Sequence, residues 1–172
     1  MLHWRFPVVN PNSAARKDLR KWLSNAKRVV VAGIGNPIRM DDYVGVRIVQ
    51  RLQGEVSEKV YLIECETIPE NFMPQIIGFS PTHVLLIDAA LQGSKPGTFE
   101  LVEPERLTVS SAFSTHMLPL RIFCEHLRET TKAKIGLLLV EPQRSDFGEG
   151  LTPSVKASMK EIVHALVEAL PR

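Results

Sequence analysis

Short continuous apolar runs alternate along this chain with stretches whose apolar residues recur at helical spacing. Val29-Val30-Val31-Ala32, Val60-Tyr61-Leu62-Ile63, Val84-Leu85-Leu86-Ile87 and Ile135-Gly136-Leu137-Leu138-Leu139-Val140 predict four strands. The first and third are of the kind buried on both faces of a sheet. Between them a helix is predicted from about Tyr43 to Gln53, with Val44, Ile48, Val49 and Leu52 on one side. A second opens at Pro69 and ends near Gly78, and a third runs from about His116 to Arg128 with His116, Leu120, Phe123 and Leu127 in one stripe. Thr152-Pro153 supplies an N-cap and a first-turn proline for a last helix carrying Val155, Met159, Ile162, Val163, Leu166 and Leu170. Thr98-Phe99-Glu100-Leu101-Val102 alternates polar and apolar and follows Lys95-Pro96-Gly97 with no helix before it. That suits an antiparallel edge strand. The whole predicts an α/β fold, a three-layer αβα sandwich around a mostly parallel twisted sheet with one antiparallel edge strand. Residues 27–172 form the single domain. Residues 1–26 form an arm and an appended helix beginning near Ser13, anchored by Trp4, Phe6 and Trp22.

Composition narrows the function classes. A length of 172 residues and a hydrophobic content of 44% suit one compact domain. Lys and Arg number 21 against 19 acidic residues, a net charge of +2, which argues against nucleic acid or an anionic membrane as partner. No apolar run approaches the roughly 18 residues that cross a bilayer, so no membrane insertion is expected. Arg5 and Pro7 interrupt any signal-peptide core. Cys65 and Cys124 form no CxxC pair, read as buried free thiols, and suit a reducing, cytoplasmic setting.

In parallel sheets, sites form beyond the carboxyl ends of the strands. This nominates the Gly33–Asp42 loop, the segment after Ile63, Asp88, and Glu141-Pro142-Gln143. Gly33-Ile34-Gly35 suggests a dinucleotide-binding turn, but the third glycine is replaced by Ile38 and no Walker lysine follows. The glycines are therefore read as permitting positive φ or close packing. Asp41-Asp42 ends that loop. Asp42 is the candidate ligand and Asp41 a capping residue or a supporting neighbour. Asp88 directly follows a buried strand, where a carboxylate is costly without a partner. Beside Asp42 it needs a cation or a shared proton. His116 stands at the mouth of a helix on its inward stripe. Two carboxylates and one imidazole suit zinc, nickel, iron or manganese. Ser110, Ser111 and Ser114 lie in a polar connection, and no nucleophile motif surrounds them.

These residues sit in motifs that resemble the hydrogenase maturation endopeptidases, aspartic-type proteases that process the large subunit of nickel–iron hydrogenases. The matching segments are Gly33-Ile-Gly-Asn36, Met40-Asp-Asp42-Tyr-Val-Gly45, Pro69-Glu-Asn71, Leu85-Leu-Ile-Asp88-Ala, Pro96-Gly97, Ser114-Thr-His116-Met-Leu-Pro119-Leu and Gly150-Leu-Thr-Pro153. They extend over about residues 28–170. Pro69-Glu-Asn and Thr-His-Met-Leu-Pro-Leu are most similar to the branch serving formate-hydrogenlyase-type hydrogenases.

The resemblance implies that Asp42, Asp88 and His116 are the catalytic and metal-contacting residues. It implies a large-subunit precursor as partner, with other maturation factors beside it, and removal of a short C-terminal extension after nickel insertion. The nickel would come with the substrate, leaving the isolated protein with little metal and a site that accepts cadmium or zinc. Either Asp42 or Asp88 would serve as general base. One departure stands out: the family's Asp-Gly-Gly-Thr/Ser after the second strand is Glu64-Cys65-Glu66-Thr67 here. Cys65 is then either a soft metal ligand or a structural thiol. Two rival readings are a nickel carrier that does not cleave and a peptidyl-tRNA hydrolase-like esterase. The latter lacks its histidine after Gly-x-Gly-Asn-Pro.

Overall fold

The computed structural model describes residues 10–107 and 117–172. The expectations for Trp4, Phe6, the serines at 110, 111 and 114, and His116 lie outside these residues. Five strands form one sheet: β1 (Val29–Ile34), β2 (Val60–Glu66), β3 (His83–Ala89), β4 (Phe99–Val102) and β5 (Lys134–Val140). Their order is β2-β1-β3-β5-β4. All neighbours are parallel except β4, which runs antiparallel to β5 at the edge. The α/β sandwich with one antiparallel edge strand is therefore the observed fold.

Alternation along the strands divides the core in two. Val29, Val31, Leu85, Ile87, Leu138 and Val140 face one helical layer. It contains α1 (Ser13–Leu23), α2 (Val44–Leu52) and α5 (Pro153–Ala169). Val30, Ala32, Val84, Leu86, Leu137 and Leu139 face the other. That layer holds α3 (Met73–Phe79) and α4 (Met117–Thr131). The inward stripe of α4 is Met117, Leu120, Phe123, Cys124 and Leu127, and Pro119 falls in its first turn, where its missing N–H costs nothing.

Several boundaries differ from the predicted ones for local reasons. Residues 69–79 are not one helix. Pro69–Phe72 form a 3₁₀ turn and α3 starts at Met73, because Pro74 has no N–H to continue an α-helix through that point. The segment ends on Ser80 in the left-handed region (φ 53), rather than at Gly78. Asn12, not Ser13, occupies the cap position of α1, and its amide is used elsewhere. It donates to Gly97 O at 3.2 Å and its Oδ1 accepts from Phe99 N at 3.1 Å, tying α1 to β4. Leu19 is 0% exposed, and Trp22 stacks edge-on against His83 at 4.9 Å.

The packing of α2 sets the geometry of the site. A Cβ on Gly33 would sit 2.2 Å from Gly45 O, and one on Gly45 would sit 2.1 Å from Ile87 O. Both are backbone atoms and cannot yield. The first turn of α2 is thereby seated directly on the ends of β1 and β3, which explains the glycines without any phosphate.

Two stability outcomes follow from this packing. Gly45→Ala should cost more than about 3 kcal/mol, since backbone must move. Leu19→Ala should cost about 3 kcal/mol if α1 is part of the core. Urea unfolding of each variant measures both, and an unchanged midpoint for Leu19→Ala would show α1 to be a dispensable appendage.

Candidate active site

The strand order reverses direction at β1. The chain leaves it for β2 on one side, and β3 then returns to its other side. Such a switch point opens a crevice beyond the carboxyl ends of the two strands. Asp42 and Asp88 both line a cleft of about 560 Å³ there. Asn36, Arg39, Glu70 and Ser145 line it as well, and so do Pro119 and Leu120 from the first turn of α4.

Each carboxylate is positioned differently. Asp42 closes the loop after β1, inside a 3₁₀ turn over Met40–Tyr43, and its Oδ2 accepts the Asn36 N–H at 2.9 Å. Asp88 lies in the last paired stretch of β3, opposite Leu139 of β5. It continues the face of Val84 and Leu86, toward the α4 layer. Its Oδ1 accepts the Ala89 N–H at 2.8 Å. Burial, and then the negative charge of Asp42, push the Asp88 carboxyl up to about 8, against the opposing pull of the Ala89 N–H. Two carboxylates facing one cleft is thus an expensive arrangement in the absence of a cation or proton. Among the described residues no three His, Cys, Asp or Glu side chains form a group that could hold a metal ion. His116 lies outside those residues, immediately before α4.

Asp41 is not a capping residue, since the 3₁₀ turn has no side-chain cap; it is the supporting neighbour of Asp42. The residue is 0% exposed and accepts four hydrogen bonds. They come from Thr152 N–H and Thr152 O–H at 2.7 Å each, Gln143 N–H at 2.9 Å and Arg144 N–H at 3.0 Å. Thr152 is the N-cap residue of α5, as its sequence predicts, but its hydroxyl goes to Asp41 rather than to the helix. Of the four places nominated for the rim, the loops after β1 and β2 reach the cleft directly, and β3 reaches it through Asp88. The segment after β5 reaches it through Ser145. Glu141 is instead buried and structural, accepting the Gln92 N–H at 2.6 Å.

The departure at Glu64-Cys65-Glu66 now has a shape. Gly33 pairs with Glu64 and Ile34 with Glu66, which leaves Cys65 on a bulge. Its side chain is 2% exposed in the core with Ile34, Ile63 and Ile76, and burial pushes its thiol up to about 12. Cys65 is a structural thiol. Glu66 occupies the left-handed region at φ 51, which glycine adopts without strain. Arg39 and Glu70 are cleft residues that pattern reasoning did not single out as chemistry. The order of Pro69-Glu-Asn after the second strand was the available signal for Glu70. Arg39 donates to Ser145 O at 3.1 Å and lies 4.9 Å from the Phe147 ring, contacts that only the folded chain creates.

The Asp88 carboxyl binds a proton between about pH 4 and pH 8 in the folded chain, while the unfolded chain, with an ordinary carboxyl, has lost it. The folded state therefore holds more protons across this window, and stability falls as pH rises through it. Asp88→Asn should raise the melting temperature by several degrees at pH 8.5 and leave it nearly unchanged at pH 4. Thermal melts at the two pH values check this, and an equal effect at both would refute the coupling. Asp41→Asn, by contrast, should destabilise by about 3 kcal/mol at neutral pH, because an amide places N–H against the N–H groups of Gln143 and Arg144.

The same fold recurs in known proteins. The crystal structure of a nickel–iron hydrogenase maturation protease, HycI, from Thermococcus kodakarensis superposes with a TM-score of 0.83 at 32% identity, covering 89% of this chain and 98% of that one. A Methanocaldococcus jannaschii protein, named as a candidate hydrogenase maturation protease, is 34% identical over 156 residues, 86% of this chain and 91% of that one. The hydrogenase 3 maturation protease of Escherichia coli is 23% identical over 137 residues, 80% of this chain and 87% of its own length. The model of the HycI hydrogenase maturation protease family matches residues 46–169. With the family model matching most of its length and a relative 34% identical over 86% of it, this chain belongs to the HycI family of hydrogenase maturation proteases.

Proposed function

We propose that this chain is an aspartic-type endopeptidase of the cytoplasm that removes the C-terminal extension of a nickel–iron hydrogenase large-subunit precursor after nickel insertion. The observation that carries the proposal is the pair Asp42 and Asp88, drawn from neighbouring strands and facing one open cleft at the switch point. With His116 they offer two carboxylates and one imidazole to a metal that arrives as part of the substrate. That metal would polarise the scissile carbonyl. The chain's own residues do the rest. Asn36 N–H orients the Asp42 carboxylate. Asp88, protonated near neutral pH before substrate binds, can give up that proton when a cation takes its place. One of the two carboxylates, Asp42 or Asp88, draws the proton from the attacking water and passes it to the leaving amine.

The rim suits a protein substrate. One large apolar side chain is exposed in each loop that leaves a parallel strand: Ile38 (51%), Ile68 (51%), Leu91 (65%) and Phe147 (76%). Leu118, at the start of α4, is exposed beside them. Apolar side chains gathered round a polar cleft mark a surface made to be covered by another protein. No described helix is long and apolar enough to cross a membrane.

Nickel-loaded precursor should be shortened by the purified protein and nickel-free precursor left intact, as read by mass spectrometry. Asp42→Ala, Asp88→Ala and His116→Ala should each lower the rate by roughly a hundredfold or more. Tight binding of loaded precursor without cleavage would point to a carrier instead. In the isolated protein, cadmium should bind with one-to-one stoichiometry by calorimetry, and each of the three substitutions should abolish the heat.

A further inference from the structure

A second depression, of about 460 Å³, lies on the other side of the loop that carries Asp42. Its walls include Met40, Tyr43, Arg47, Arg51, Glu149 and Lys156. The two depressions share a partition. From the loop after β1, Asn36 and Arg39 face the carboxylate cleft, whereas Pro37 and Met40 face the groove. From the segment after β5, Ser145 faces the cleft, whereas Glu149 and Leu151 face the groove. Gly148 N–H donates to Ile38 O at 3.0 Å and joins the two segments. The exposed side chains of Ile38 and Phe147 belong to this partition.

The charge of the groove is unbalanced. Arg47 and Arg51 are four residues apart on α2 and so share a face. Lys156 stands in the first turn of α5, where the helix dipole disfavours a cation and no acidic residue offsets it. Among the described residues none of the three is in an ion pair. The Arg47 guanidinium donates to the amide oxygen of Gln50, at 3.0 Å. Gln50 in turn donates to Tyr43 Oη and to Glu64. Glu149 is the one carboxylate in the lining. Three cations against one anion is a local concentration in a chain whose whole net charge is +2. Placing a lysine against the α5 dipole without a partner costs stability, which a ligand would offset.

We propose that this groove binds an acidic stretch of the polypeptide that is cut in the adjoining cleft. The segment would run extended over the partition, with apolar side chains on Ile38 and Phe147 and carboxylates on Arg47, Arg51 and Lys156. An arginine pair and a half-buried tyrosine suit carboxylates spaced along a peptide. Three cations confined to one groove are too few and too local to track a nucleic-acid backbone. The link to the cut bond rests on the endopeptidase reading. The preference for an anionic peptide does not.

The full chain is titrated at low ionic strength against three fluorescein-labelled probes: hexaglutamate, hexalysine and a hexathymidine oligonucleotide. Anisotropy should report saturable binding of hexaglutamate alone, weakening with added salt. The double variant Arg47→Glu/Lys156→Glu should lose about tenfold or more in affinity. Arg47→Lys/Arg51→Lys should lose much less, and Asp88→Asn nothing. Circular dichroism checks that these surface variants stay folded. Hexaglutamate binding that survives the charge reversal, or oligonucleotide binding that falls in parallel with it, would overturn the proposal. On nickel-loaded precursor the double variant should raise KM and leave kcat unchanged. Cleavage indifferent to a charge reversal that abolishes peptide binding would overturn the link to the substrate. Peptide binding by a protein that cuts no precursor would instead remove the endopeptidase reading and leave the groove intact.

Discussion

A single carboxylate, that of Asp41, holds together the parts of the chain from which both depressions are built. It is fully buried and yet forms no ion pair among the described residues. Four hydrogen bonds from Gln143, Arg144 and Thr152 take the place of water. An ionised carboxyl is costly to bury unless its lone pairs are satisfied in this way. Once satisfied, it ties the loop after β1 to the segment after β5 and to the start of α5. Asp42, the next residue, is aimed from this fixed point. So are Arg39 and Met40, which stand on opposite sides of the partition. The adjacent aspartates therefore divide the labour: one is structural and inward, the other is presented to the cleft.

The second constraint is steric. The turn that begins α2 rests on the ends of β1 and β3 at a distance that admits no Cβ on Gly33 or Gly45. That contact brings Asp42 to the strand that carries Asp88, and it does so at the switch point, where the sheet has no crossover to fill the gap. The result is a pair of carboxylates in which burial, and then mutual repulsion, raise the Asp88 carboxyl. Such a pair is poorly suited to stability and well suited to receiving a cation. Arg39, held by Ser145 O, and the apolar rim give the cleft a polar mouth inside a surface fit for a protein partner.

Much of the fold was legible in the sequence because its signals are local. Continuous apolar runs marked the interior strands, and the helical stripes of α2, α4 and α5 matched the faces that became buried. Helix boundaries were less legible where side chains had longer-range uses. Asn12 bonds to Gly97 and Phe99 across the fold instead of capping α1, and the Thr152 hydroxyl serves Asp41 instead of α5. Periodicity carries no information on such bonds. The bulge at Cys65 was equally hidden, since the register of an edge strand depends on its neighbour. Cys65 shares the inward face of Ile63, and Glu66 beyond it takes a glycine's conformation.

The sequence by itself determined the layered α/β fold, the rim that would carry the chemistry, and Asp42 and Asp88 as its candidates. These follow from periodicity, from the position of charged residues at strand ends, and from motif order, all of which are properties of short stretches. Only the tertiary structure decided which aspartate of the adjacent pair is inward, that Glu141 supports a loop rather than the cleft, and that three cations from α2 and α5, in no ion pair among the described residues, meet in one groove. Those facts depend on residues between 49 and 111 positions apart being brought together by packing, and no local pattern records where packing will place them.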